Sequence, residues 1–155
     1  MKLGVLVYIE HKEQVLMLNR KKQDEHLGLW LAPGGKIERN EAPIEAAIRE
    51  TQEETGLIIH NPELKGILTF TDYGDSPFGD EWTVFVFYTS NFSGTCLEEC
   101  SEGTLAWIPK EELLDLPMWE GDLLFTPKVF ESGFFNATLN YHGQKMESSR
   151  FWVSE

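Results

Sequence analysis

The chain has 155 residues, 41% hydrophobic and 25% charged, a balance that excludes a disordered class and predicts one domain over residues 1–155. Its net charge of −13 argues against a broad basic face for nucleic acid, and its two cysteines, Cys96 and Cys100, are too few for a disulfide framework. No apolar run approaches the roughly 18 residues of a membrane-spanning helix, so no membrane association and a reducing cytoplasm are expected.

In chain order, the aliphatic runs 3–9 and 14–19, separated by the polar stretch Glu10–Glu13, predict two strands joined by a short turn. The apolar start meets Glu10, His11 and Lys12 and therefore reads as a strand rather than a signal peptide. A charged loop, Arg20–Glu25, leads to Trp30-Leu31-Ala32 and then Pro33-Gly34-Gly35, where paired glycines permit unusual backbone angles and close approaches.

From Glu41 the pattern becomes helical, with Asn40 as the predicted N-cap, Pro43 in the first turn and Gly56 as the stop. Ile44, Ala47, Ile48, Thr51 and Thr55 share the face expected to pack on a sheet. Strands are predicted over 66–73 and 82–88, then 105–108, with a helix over 110–114. A second helix over 119–131 and a hairpin of 134–141 with 145–153, turning at His142-Gly143, complete one α/β unit.

The first helix carries the chemistry. Glu50, Glu53 and Glu54 are spaced to share the side opposite the apolar face. Like charges at such spacings destabilise a helix by about 0.2 to 0.5 kcal/mol per pair, a penalty that a hard divalent cation removes by taking carboxylate oxygens as ligands. A solvated acidic face is the bland alternative, and the surrounding residues argue against it. Gly35, five residues, Glu41, seven residues and then Arg49-Glu50-Thr51-Gln52-Glu53-Glu54-Thr55-Gly56-Leu57 resembles the Nudix box of residues 35–57. Thr51 is the one departure, standing where the family usually has an aliphatic residue; its hydroxyl is expected to bond back to the Ala47 carbonyl.

The resemblance implies a Nudix-type α/β/α sandwich with a mixed central sheet and hydrolysis of a diphosphate bond dependent on Mg²⁺, with Mn²⁺ as a substitute. It implies Glu50, Glu53, Glu54 and the Gly34 carbonyl as metal ligands, Arg49 as the residue that orients the carboxylates, Glu41 as a brace and Lys36 as a phosphate contact. Glu53 is the candidate general base. Glu102 resembles the ligand that some relatives supply from outside the box, with Glu98 and Glu99 as competitors.

Pro117-Met118-Trp119-Glu120-Gly121-Asp122, with Phe134-Phe135 and the following hairpin, resembles the C-terminal part of MutT-like and MutX-like enzymes that sanitise oxidised purine triphosphates. By that resemblance Trp119 stacks on a base, Asp122 contacts its edge and Leu31 lines the pocket. Gly121 lacks a second carboxylate and Leu31 replaces a base-reading Asn, which reduces the expected selectivity for 8-oxoguanine. The implied reaction is conversion of a nucleoside triphosphate, 8-oxo-dGTP included, to monophosphate and diphosphate in a monomer or weak homodimer. Alternatives are a diphosphatase for ADP-ribose, a sugar nucleotide or capped RNA, and a nucleotide-sensing domain without turnover. The complete set of box carboxylates disfavours the last.

Overall fold

The computed structural model describes residues 1–155. β1 (Lys2–His11) and β2 (Gln14–Arg20) form the predicted hairpin, and the turn residues Lys12 and Glu13 adopt positive φ of 51° and 63°. That pair of left-handed residues is what a two-residue hairpin turn of matching twist requires. Next come two short strands, β3 (Trp30–Leu31) and β4 (Gly34–Lys36), and then the helix α1 (Pro43–Thr55). β5 (Ile58–Ile59), β6 (Glu63–Phe70), β7 (Trp82–Thr89), β8 (Phe92–Ser93), β9 (Glu99–Cys100) and β10 (Gly103–Pro109) follow. After a 3₁₀ turn at Lys110–Asp115, where a helix was predicted, come α2 (Glu120–Val129), β11 (Phe134–His142) and β12 (Lys145–Ser154).

The main sheet runs β12-β11-β6-β7-β1-β2-β10-β9, with β3 added on β2 and β4 on β1. It is mixed: β1 is parallel to β7, β11 is parallel to β6, and the remaining pairs are antiparallel. β5 and β8 pair separately. β1 is buried on both faces because its side chains alternate. Val5, Val7 and Ile9 join Ala46 and Ala47 of α1 in one core, whereas Tyr8 joins Phe125 and Val129 of α2 in the other. One helix on each side of the sheet gives the α/β/α sandwich. Each fully buried Val or Ile contributes roughly 1.5 to 3 kcal/mol, and β1 draws on both cores at once.

Within α1 three expectations are corrected. The N-cap is Ala42 rather than Asn40, which sits in the preceding turn with φ 64°. The Ala42 N–H donates instead to the Glu45 carboxylate at 2.8 Å, so the helix start is satisfied from inside the helix and not by Asn40. Ile44 is exposed and Ala46 takes its place, fully buried beside Ala47 in the core that Val5, Val7 and Ile9 supply. The Thr51 hydroxyl does not reach the Ala47 carbonyl; it is buried without a partner, and it is Thr55 Oγ1 that bonds back, to the Thr51 carbonyl at 2.6 Å. Pro43 and Gly56 take their expected positions, Gly56 closing the helix at φ 80° with its N–H on the Gln52 carbonyl.

A buried hydroxyl with no partner costs stability that an isosteric methyl does not. Thr51→Val is expected to raise the unfolding free energy by about 1 kcal/mol, read by denaturant titration at unchanged m-value. A loss of stability would show that the hydroxyl has a partner in solution.

Candidate active site

The Pro33-Gly34-Gly35 segment brings the box against the central strand. A Cβ on Gly34 would lie 2.0 Å from the Val5 carbonyl oxygen, and one on Gly35 would lie 2.4 Å from the Glu50 carboxyl group. Neither glycine has positive φ, so close approach and not unusual backbone angles explains the pair. With no side chains in the way, β4 pairs with β1 at Gly4↔Lys36, Val5↔Gly35 and Leu6↔Gly34, and α1 settles directly on β4.

Arg49 ties these pieces together. Its Nε and Nη2 donate to both oxygens of Glu41 at 2.7 and 2.9 Å, Nη2 also reaches the Lys36 carbonyl at 3.0 Å, and Nη1 reaches Glu50 at 2.8 Å and Glu53 at 3.3 Å. All five guanidinium N–H donors are thereby used. The same contacts raise the Arg49 pKa, the Glu41 hydrogen bonds first among them. They hold the Glu41 carboxyl down at about 2, helped by the Glu38 backbone N–H.

Glu54 faces a different direction. It accepts the Gly34 N–H at 2.8 Å, and burial pushes its pKa up to about 7; the Gly34 hydrogen bond opposes this, while the charges of Glu50 and Glu102 add to it. Glu50 is also raised, by desolvation. Glu102 pairs with Arg20 and Lys22, each at 3.2 Å, and Glu98 and Glu99 are exposed. No three of these acidic groups converge at ligating distance, because Arg49 draws Glu50 and Glu53 one way while Gly34 and Arg20 draw Glu54 and Glu102 elsewhere. The donor set nevertheless fits a hard divalent cation. It consists of carboxylate oxygens, and one of them, Glu54, is desolvated beside two like charges.

A cleft of about 260 Å³ runs from Gly34, Lys36 and Glu54 to Leu31, Trp119 and Asp122. It brings together the proposed phosphate end and the proposed base end, whereas Arg49, Glu50, Glu53 and Glu102 lie outside its lining. Asp122 is buried and its pKa is pushed up to about 7 by desolvation. At neutral pH its carboxyl group is thus divided between a protonated form that can donate and an ionised form that only accepts. Trp119 is 6% exposed and sits among His26, Phe78 and Tyr141. Phe78, Phe70 and Trp82 also line the cleft, and sequence patterning missed them because they enter from β6, β7 and the loop between. Arg20, which the sequence pattern assigns to a charged loop, ends β2 and lines the cleft with Glu54, its Nε buried and unpartnered.

An α/β/α sandwich with a glycine-cradled acidic helix at the mouth of a cleft defines a class of enzymes that hydrolyse acid anhydrides. The NUDIX domain model matches residues 1–129, and the chain belongs to the Nudix hydrolase family. It is similar to the uncharacterized Nudix hydrolase YvcI of Bacillus subtilis, 37% identical over 114 residues, which are 74% of this chain and 70% of that protein. The oxidized purine nucleoside triphosphate hydrolase of Danio rerio is 29% identical over 142 residues, covering 92% of this chain and 88% of the relative. The crystal structure of a MutT protein from Bacillus halodurans superimposes with a TM-score of 0.86 at 33% identity, covering 97% of both chains. Nudix hydrolases generally need a divalent metal and bind nucleotide substrates. No helix of this chain is long and apolar enough to cross a membrane.

Asp122 gives the cleft a pH signature. Its folded pKa of about 7 lies above the ordinary 3.8, so between those values the folded state binds more protons and stability falls as pH rises. Asp122→Asn removes that loss. The variant's stability relative to wild type is expected to grow by roughly 2 to 4 kcal/mol from pH 4 to pH 7.5 and then level off, read by denaturant titrations across that range. A difference independent of pH would contradict the shift.

Proposed function

We propose that the chain forms a single Nudix domain over residues 1–155 and that it hydrolyses a nucleoside triphosphate to monophosphate and diphosphate with Mg²⁺, or Mn²⁺ in its place, with 8-oxo-dGTP among its substrates. The observation that carries this reading is the continuity of the cleft: Glu54, Gly34 and Lys36 line one end, and Trp119, Asp122 and Leu31 line the other. The names of the Danio rerio relative and of the human 8-oxo-dGDP phosphatase NUDT18, 31% identical over 122 residues, support a purine nucleotide.

In this reading Glu50, Glu53, Glu54, Glu102 and the Gly34 carbonyl would hold the cation. When bound, it supplies charge neutralisation at the phosphoryl oxygens and acidifies water. Glu53 takes the proton of the attacking water, whose oxygen joins phosphorus as the bridging P–O bond breaks and the nucleotide separates from the diphosphate. Arg49 orients the Glu50 and Glu53 carboxylates through its ion pairs, and Lys36, exposed at the cleft edge, meets a phosphate. At the other end the Trp119 indole stacks on the base and Asp122 bonds its edge, interactions worth about 1 to 3 kcal/mol per stacked base. Leu31 contributes apolar contact only, so the discrimination rests on Asp122.

Glu53→Gln is expected to lower kcat by a factor of about 10² or more in Mg²⁺ while leaving the melting curve in place. Turnover near wild type would remove Glu53 from the role of base. A panel of dNTPs, 8-oxo-dGTP, ADP-ribose and sugar nucleotides, read by released phosphate after coupling to a pyrophosphatase or phosphatase, tests the substrate. Triphosphates are expected to dominate, with 8-oxo-dGTP favoured over dGTP by about tenfold or more, or 1.4 kcal/mol. Strong turnover of ADP-ribose would replace the triphosphate reading.

A further inference from the structure

We propose that His26 is a positioning residue for base recognition: by accepting the indole N–H of Trp119 it fixes the plane in which that ring meets a base. The inference deepens the proposed function and rests on its assignment of Trp119 as the base platform.

Trp119 Nε1 donates to His26 Nδ1 at 2.8 Å. An indole has one N–H donor and no acceptor, and this one is buried, so His26 supplies the partner that the burial demands. The N–H bond lies in the plane of the indole, so His26 holds the ring by its edge and leaves the ring faces to other contacts. A second consequence follows from the count of donors. With its N–H spent on His26, Trp119 has no hydrogen bond to offer a base and can recognise one only through its π surface. Polar reading of the base at that end of the cleft then falls to Asp122.

His26 is itself well held, although it stands in the loop between β2 and β3. Its N–H donates to Asp24 Oδ1 at 2.9 Å, its carbonyl accepts the Leu29 N–H at 2.9 Å, and its ring stacks on Phe78 at 5.9 Å and 15°. For Nδ1 to accept, the neutral ring must carry its proton on Nε2, and Nε2 faces the Glu25 carboxylate at 3.4 Å. Burial lowers the His26 pKa and favours that neutral form. Three segments far apart in sequence therefore converge on the Trp119 indole: the loop carrying His26, the loop carrying Phe78, and β11 with Tyr141.

A hydrophobic ring of similar size at position 26 keeps the packing and removes the acceptor. The orphaned indole N–H then turns toward water or the cleft, and the platform loses its fixed plane. Glu54 and Lys36 occupy the other end of the cleft, so binding of the base suffers while the chemical step does not.

The test compares His26→Phe, His26→Asn and Trp119→Ala by steady-state kinetics on dGTP in Mg²⁺ and by calorimetric binding of dGMP. Asn is the conservative variant, because its Oδ1 can stand where Nδ1 accepts. His26→Phe is expected to raise KM for dGTP and the Kd for dGMP by about tenfold with kcat within about twofold, while His26→Asn stays within about threefold of wild type on all three. Trp119→Ala is expected to weaken dGMP binding by more than His26→Phe. If Trp119→Ala loses dGMP binding and His26→Phe keeps it, the positioning role is overturned and the platform stands. If neither changes dGMP binding, the platform assignment itself falls, and the inference falls with it. Should His26→Phe fail to fold, His26→Leu, smaller and equally unable to accept, is read in its place.

Discussion

The site depends on one guanidinium group. A helix that gathers Glu50, Glu53 and Glu54 within five residues is electrostatically unfavourable on its own, and the chain as a whole carries a net charge of −13. Arg49 offsets this by spending its donors on Glu41, Glu50, Glu53 and the Lys36 carbonyl. Because those partners belong to α1, to β4 and to the loop between them, the group that relieves repulsion is also the one that fixes the helix against the strand. A lysine could not reproduce this, since a single ammonium lacks the planar fork that engages both Glu41 oxygens at once.

That clamp works only because the strand beneath it is bare. Gly34 and Gly35 admit the Val5 carbonyl and the Glu50 carboxyl to positions that any Cβ would occupy. The resulting contact places the Gly34 N–H on Glu54 and turns Glu54 into the cleft, where burial raises its pKa to about 7. Such a carboxyl group is poorly satisfied by protein alone. In the proposed function a divalent cation would satisfy it, which would link the close packing of α1 on β4 to the metal requirement of the family.

The box was legible in the sequence because its information is local: spacing along one helix determines which side chains share a side, and Gly56 and Pro43 mark its ends. The sandwich was legible through the resemblance that the same motif carries, whereas the two cores fed by the two faces of β1 emerge only from the fold. What patterning could not reach is non-local. Phe78 and Trp82 read as parts of a loop and a strand, and only the parallel pairing of β1 with β7 and the return of the intervening loop bring them to Trp119 and Gly4. Asn40 looked like a cap because its residue type favours one, but Glu45 already satisfies the Ala42 N–H from inside the helix. The Thr51 hydroxyl is buried without a partner, whereas Thr55 one turn later does bond back, to the Thr51 carbonyl, a distinction that residue type alone does not make.

Under the proposed function the cleft is one functional unit, with diphosphate chemistry at Glu54 and Lys36 and base recognition at Trp119 and Asp122. The most direct test is a crystal structure with Mg²⁺ and a dGTP analogue whose α,β-bridge cannot be hydrolysed. In the proposed function the base lies against Trp119 with its edge at Asp122, the phosphates run toward Lys36, and the cation is held among Glu50, Glu53 and Glu54. A base lying outside the cleft, or phosphates bound away from α1, would contradict it.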